Sequence, residues 1–148
     1  MAIKIGELLI KKKLITPDKL ETALREQSHT GEFLGAILMR LNYVSEPDLL
    51  TVLAEQFQTQ FVELSRVFIN PQVIKLVPEN LVREYKFLPI EMKGGVILIA
   101  VSNPLDMWPM SVLHEKLDLS EVKIVLAGKN DIQQAIAKYY GGATKIPV

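Results

Sequence analysis

Two glycines and two glutamines recur at one spacing, and they are the residues of this chain best suited to contact a ligand. Gly6 and Gly35 lie 29 residues apart, and so do Gln27 and Gln56. A glycine inside a helix costs about 1 kcal/mol relative to alanine, so a repeated glycine indicates close approach of another group. A glutamine amide can cap helix-end carbonyls or hydrogen-bond the edge of a ligand. These residues predict either helix packing, the commoner use of such repeats, or a ligand held by backbone and amide groups.

Residues that support catalysis or metal binding are sparse. His29 and His114 lie far apart with no carboxylate at ligand spacing, and the chain has no cysteine to form a thiolate or a disulfide. The segment Ala127-Gly128-Lys129-Asn130 lacks the leading glycine and the hydroxyl residue of a phosphate-binding loop. The sequence therefore predicts a chain that is not an enzyme, with no catalytic or metal-binding residues and no required cofactor.

The charge balance narrows the class of partner. The formal net charge is zero and the sequence pI is about 6.7, whereas nucleic acids and anionic membranes attract basic surfaces. No apolar run approaches the ~20 residues of a membrane span, and the first residues lack the apolar region of a signal peptide. We therefore expect a cytoplasmic protein with no nucleic-acid partner and no direct membrane span.

The repeated glycines and glutamines belong to a 24-residue motif that occurs twice, at residues 4–27 and 33–56. Residues 28–32 separate the copies. Self-similarity at a fixed period indicates that one supersecondary unit was duplicated. Seven aligned pairs are identical: Gly6/Gly35, Leu9/Leu38, Leu20/Leu49, Thr22/Thr51, Leu24/Leu53, Glu26/Glu55 and Gln27/Gln56.

Each copy has the pattern of two short helices. Its apolar residues recur at helical spacing, and a helix start is indicated in the middle of each copy by Thr16-Pro17 and by Ser45-Glu46-Pro47. Asn42 is suited to the left-handed position that ends a helix, and Lys13 occupies the same place in the first copy. We expect two helical hairpins and hence a four-helix unit over roughly residues 3–58.

The second half changes to mixed periodicity. A short strand is expected at residues 61–64, a β-hairpin around Lys93-Gly94-Gly95, and an overall order β-α-α-β-β-α-β-α. The fold class is therefore α+β. We expect a helical tandem-motif subdomain at residues 1–59, a small α/β subdomain with a short, mainly antiparallel sheet at 60–141, and a flexible tail or linker at 142–148.

The motif layout resembles the MshEN-type domain, the N-terminal region of type II secretion and type IV pilus assembly ATPases. The resemblance rests on the glycine near the start of the motif, the closing Leu-x-x-x-Leu-x-x-Gln and the five-residue gap. It continues through Leu76-Val77-Pro78-Glu79-Asn80-Leu81 and Ala137-Lys138-Tyr139-Tyr140-Gly141. It implies a regulatory domain that binds cyclic di-GMP and has a protein partner in a secretion or pilus machine at the inner membrane.

The resemblance also assigns ligand-binding positions. The family's first motif position is typically arginine, and here it is Lys4 and Phe33; its tenth is typically glycine, and here it is Lys13 and Asn42. Loss of the arginines implies weakened binding, because lysine lacks the bidentate fork and phenylalanine lacks the charge. The alternative is a protein-docking module that couples an ATPase to a membrane-platform subunit and has lost the ligand. The positions implied to bind cyclic di-GMP are Lys4, Ile5, Gly6, Leu20, Leu24 and Gln27 in the first copy, and Phe33, Leu34, Gly35, Leu49, Leu53 and Gln56 in the second.

Overall fold

The computed structural model describes residues 5–104 and 108–141. Contacts divide the chain into two compact units, Met1–Gln58 and Thr59–Val148. Lys4 and the expected tail at 142–148 lie outside the described residues. None of the helices in the described ranges has the length and apolar character needed to cross a bilayer.

The first unit contains the four expected helices, and each copy of the motif supplies two of them. Both second helices begin in the same way: the Thr16 hydroxyl accepts a hydrogen bond from the Lys19 amide, and the Ser45 hydroxyl accepts one from the Asp48 amide, each at 3.2 Å. Such caps satisfy amides that have no partner within the helix. The helices are α1 (Ile5–Lys11), α2 (Pro17–Thr30), α3 (Leu34–Arg40) and α4 (Glu46–Gln56).

The turn after the first helix of each copy is also repeated. Lys13 has φ 64° and Asn42 has φ 61°, so both are left-handed as expected. In each turn the next amide closes the helix end, from Leu14 to the Leu9 carbonyl and from Tyr43 to the Leu38 carbonyl, both at 2.9 Å. The resemblance implies glycine at this position, and that expectation has a physical basis, because only glycine adopts this backbone region without steric cost.

We expect Lys13→Gly to raise the free energy of unfolding by up to about 1 kcal/mol. A left-handed conformation costs an L-residue about 1–2 kcal/mol, and glycine removes this cost. Glycine also has greater freedom in the unfolded chain, which offsets about 0.5–1 kcal/mol of the stabilisation. Asn42→Gly should gain less, since asparagine tolerates this conformation. The midpoint of urea unfolding measures the change. Lys13→Ala is the control, because it removes the charge and keeps the strain; a lower midpoint for Lys13→Gly would contradict the prediction.

Helix packing in the first unit crosses between the copies. Helix α1 contacts α4, and α2 contacts α3. The core between them is built around Leu9, Ala23, Ile37 and Leu38, all fully buried. Leu9 and Leu38 are one of the identical pairs, so both copies contribute the same leucine to one shared core.

The second unit places helices around a three-stranded sheet in the order β1-β2-β3. Strand β1 pairs with β2 in antiparallel fashion, with a bulge between Pro89 and Glu91, and β2 pairs with β3 in parallel. The described elements are a 3₁₀ turn (Leu64–Arg66), α5 (Pro71–Leu76), α6 (Glu79–Tyr85), β1 (Leu88–Lys93), β2 (Val96–Val101), α7 (Trp108–Lys116), β3 (Glu121–Leu126), α8 (Lys129–Ile136) and a π-helical turn (Ala137–Gly141).

Two details of the expected sheet are wrong. The sheet is mixed rather than mainly antiparallel, because the chain between β2 and β3 includes α7, and a helical crossover joins parallel strands. The strand expected at residues 61–64 is reduced to a single bridge between Phe61 and Leu126. Leu64 already begins the 3₁₀ turn, so the alternating segment is too short to form a ladder.

Candidate functional site

The two repeated glycines are each approached by a repeated leucine. A Cβ atom on Gly6 would lie 2.7 Å from Leu20 Cδ1, and one on Gly35 would lie 3.0 Å from Leu49 Cδ2. Both distances are shorter than ordinary van der Waals contact. In each copy, therefore, the first helix lacks a side chain where a leucine of the second helix packs. This contact accounts for both glycines by packing, the commoner of the two interpretations.

The apolar positions assigned to the ligand differ in their access to solvent. Leu49 is buried, while Leu24 is 46% exposed and Phe33 is 54% exposed. Leu24 and Leu53 are an identical pair, but only the first is exposed, so the two copies present different surfaces. The remaining apolar positions, Ile5, Leu20, Leu34 and Leu53, are partly buried and pack against the core of the first unit.

The Gln27 amide binds the joining segment, residues 28–32, which connects the two copies. Its Nε2 donates to the backbone carbonyl of Glu32 at 3.0 Å. Because a carbonyl only accepts hydrogen bonds, this contact fixes which end of the amide faces Glu32. The Oε1 atom and the second N–H of Gln27 take no part in this hydrogen bond. Gln56, the repeat-related residue, is partly buried at the end of α4.

Charged groups surround the same joining segment. Arg40 Nη2 lies 2.6 Å from Glu32 Oε1 and 3.2 Å from Glu26 Oε2. The hydrogen bond from Arg40 lowers the pKa of the Glu32 carboxyl, and the two carboxylates raise the pKa of the Arg40 guanidinium. One guanidinium therefore ties the end of α3 to both α2 and the joining segment.

A related ion pair connects the copies in the other direction. Lys12 Nζ lies 2.8 Å from Glu55 Oε1, and Glu55 is the repeat partner of Glu26. Each of these glutamates precedes a motif glutamine. Each also forms an ion pair with a basic side chain at the end of the other copy's first helix. We did not identify Arg40, Lys12 or these glutamates from the sequence; the identity of Glu26 and Glu55 beside Gln27 and Gln56 was the available signal.

The described residues contain no group of three or more histidine, cysteine, aspartate or glutamate side chains that could hold a metal ion. The first unit instead presents exposed apolar side chains at Leu24 and Phe33, together with the Gln27 amide and the Arg40 guanidinium, which both bind Glu32. Such a set can hold a planar, polar-edged organic ligand by stacking and hydrogen bonding. Lys4, the remaining assigned position, lies outside the described residues.

The family model and the solved structures that match this chain indicate the same family. A model of the MshEN domain matches residues 57–146, more than half of the 148 residues. The solved structure of MshE with cdg has a TM-score of 0.84 and 30% identity, and the match covers 93% of this chain and 99% of that chain. The N-terminal domain of XpsE shares the fold, with a TM-score of 0.69 at 18% identity over 93% of this chain and 94% of that chain.

Curated relatives include longer proteins. The type IV pilus assembly ATPase PilB of Myxococcus xanthus is 27% identical over 140 residues, 95% of this chain and 25% of the relative. PilB of Thermus thermophilus is 29% identical over 139 residues, 93% of this chain and 16% of the relative. Bacteriophage adsorption protein B of Escherichia coli is 23% identical over 136 residues, 92% of this chain and 18% of the relative. The chain thus spans a quarter or less of the length of these proteins.

Proposed function

The chain belongs to the MshEN domain family, and from that membership we propose that it is a regulatory domain of a pilus or secretion ATPase that binds cyclic di-GMP through its two motifs. The observation that carries the proposal is the similarity to MshE with cdg. That similarity covers 93% of the chain, so it extends into the tandem motifs that lie before the segment matched by the family model.

The duplicated geometry also supports this ligand. Cyclic di-GMP is a twofold-symmetric molecule with two guanines and two phosphates. The two copies share their caps, their left-handed turns and their glycine–leucine contacts. A protein unit built from two equivalent halves can offer each half of such a ligand the same kind of contact. Phe33, exposed beside the start of α3, can stack on a base.

The affinity that we expect is low because Lys4 and Phe33 replace the arginines typical of the first motif position. A hydrogen bond to a charged group contributes about 1.5–3 kcal/mol, and each 1.4 kcal/mol is about tenfold in affinity. Phe33 offers no such bond, and lysine at position 4 offers a point charge without the fork. The proposed binding is therefore weak, with a Kd above about 1 μM.

We expect calorimetric titration of the chain to show saturable heat with cyclic di-GMP and none with cyclic AMP or GTP. Gln27→Ala should weaken binding about tenfold by leaving a polar edge of the ligand unpaired. Gln133→Ala, an exposed glutamine on α8, is the matched control and should not change the affinity. A nanomolar Kd for the unaltered chain would show that the arginines matter less than proposed.

The second candidate is the protein-docking module, which is favoured by the replacement of an arginine by Phe33. Phe68 and Leu76 in the second unit are also exposed apolar side chains, of the kind that protein interfaces use. Absence of any cyclic di-GMP binding by a folded chain would favour this candidate over the sensor.

A further inference from the structure

We propose that Arg40 is a positioning residue for the Gln27 half of the ligand site, acting through Glu32. By holding Glu32 and Glu26 together, Arg40 fixes the segment that orients the Gln27 amide and that leads into Phe33. This inference rests on the proposed function, because it gives Arg40 a role in the same cyclic di-GMP site. Arg40 was not among the positions assigned to the ligand by motif.

Glu32 is the residue through which Arg40 acts. Its carboxylate binds Arg40 at 2.6 Å, its carbonyl accepts from Gln27 Nε2 at 3.0 Å, and its amide donates to the Thr30 hydroxyl at 3.2 Å. Three bonds to one residue restrain the short connection between α2 and α3. Phe33 follows Glu32 directly, so the backbone that sets the direction of its ring is fixed by the same contacts.

The contact with Glu32 orients the Gln27 amide for binding. One of the two N–H groups on Nε2 donates a hydrogen bond to the Glu32 carbonyl. The Oε1 acceptor and the other N–H take no part in this contact. An amide already held in one orientation loses less conformational entropy when a ligand binds than a freely rotating one does. Arg40 is thus expected to improve affinity without touching the ligand.

The carboxylate of Glu32 has no counterpart at the repeat-related positions of the sequence. The residue 29 positions before Glu32 is Ile3, and the residue 29 positions after it is Phe61, so neither position carries a carboxylate. In the other direction the ion pair to Glu55 comes from Lys12, a flexible point charge rather than a planar fork. The inference therefore concerns the Gln27 half of the site, where a guanidinium and a carboxylate hold the joining segment.

The decisive variant is Arg40→Met, which keeps an unbranched side chain and removes all the donors. Arg25→Met is the matched control, because the ion pair of Arg25 with Glu21, at 3.6 Å, lies within α2 and Arg25 is more exposed than Arg40. Arg40→Lys tests rescue by a single charge. We expect Arg40→Met to weaken cyclic di-GMP binding about threefold to tenfold in calorimetry, Arg40→Lys to recover part of the loss, and Arg25→Met to match the unaltered chain.

A measurement without ligand separates this inference from the proposed function. In ¹⁵N-labelled protein, Arg40→Met should shift the side-chain amide resonances of Gln27 and speed amide exchange at Glu32 and Phe33, with the helical circular dichroism unchanged. Unaltered Gln27 resonances and exchange would overturn the positioning role, whatever the affinity. If the unaltered chain does not bind cyclic di-GMP, the proposed function fails, and these resonances alone decide whether Arg40 positions Gln27.

Discussion

Leu38→Ala is expected to lower the free energy of unfolding of the first unit by about 2–5 kcal/mol. Leu38 is 0% exposed and packs in the single core that both copies share. Truncating it removes apolar contact and leaves a cavity that the surrounding helices only partly fill. A unit of this size buries a smaller fraction of its surface than a larger domain does, so a loss of this magnitude approaches its whole stability. Leu9→Ala, at the repeat-related position, should have a similar effect.

Leu24→Ala provides the matched control for this core substitution. Leu24 is the same residue type in the same unit but is 46% exposed, so we expect it to cost less than about 1 kcal/mol. Urea unfolding followed by circular dichroism at 222 nm compares the variants directly. Equal losses for Leu38→Ala and Leu24→Ala would show that the shared core is not where the structure places it.

Phe33→Arg is expected to tighten cyclic di-GMP binding by about tenfold or more. The change restores the residue that the family typically has at the first motif position, and one charge-assisted contact to a phosphate is worth that factor. Phe33 is 54% exposed, precedes α3 in extended backbone, and makes no side-chain cap. The substitution should therefore leave the fold and the core unchanged.

Phe57→Arg separates a specific contact from simple charge attraction. Phe57 is also an exposed phenylalanine in the first unit, at the end of α4, and its replacement makes the same change in net charge. It should alter the affinity much less than Phe33→Arg. Equal tightening by both variants would assign the gain to long-range attraction of an anion. No binding by a folded variant with Lys4→Arg and Phe33→Arg together would leave the docking module as the surviving function.

The local features of the first unit could be predicted because they are encoded within a few residues. Caps at Thr16 and Ser45 and left-handed turns at Lys13 and Asn42 depend on adjacent positions. The exposure of Leu24 could not be predicted, because its repeat partner Leu53 has the same sequence signal and is partly buried. Which leucine meets solvent depends on which helices cross, and periodicity does not specify that.

In the candidate site, too, local features could be predicted from the sequence, whereas contacts between distant residues could not. The glycine–leucine contacts agree with the packing interpretation that the repeat favoured. The ion pairs of Arg40 and Lys12 join residues of different copies, and a single sequence does not reveal such pairings. In the second unit, the strand pair β2–β3 is parallel for a related reason, because the pairing depends on the path of the crossover and not on the strand's own residues.

The crossed packing of the four helices has a kinetic consequence. Helices α2 and α3 are joined by residues 31–33 and contact each other, whereas the contact between α1 and α4 joins opposite ends of the unit. Closing the longer loop costs more chain entropy, so we expect α2 and α3 to associate early and α1 and α4 to close last. Pulse-labelling hydrogen exchange during refolding, with the amides of α2 and α3 protected before those of α1 and α4, would show this order. A ligand bound to both copies would then slow unfolding chiefly by stabilising the contact between α1 and α4, which forms last.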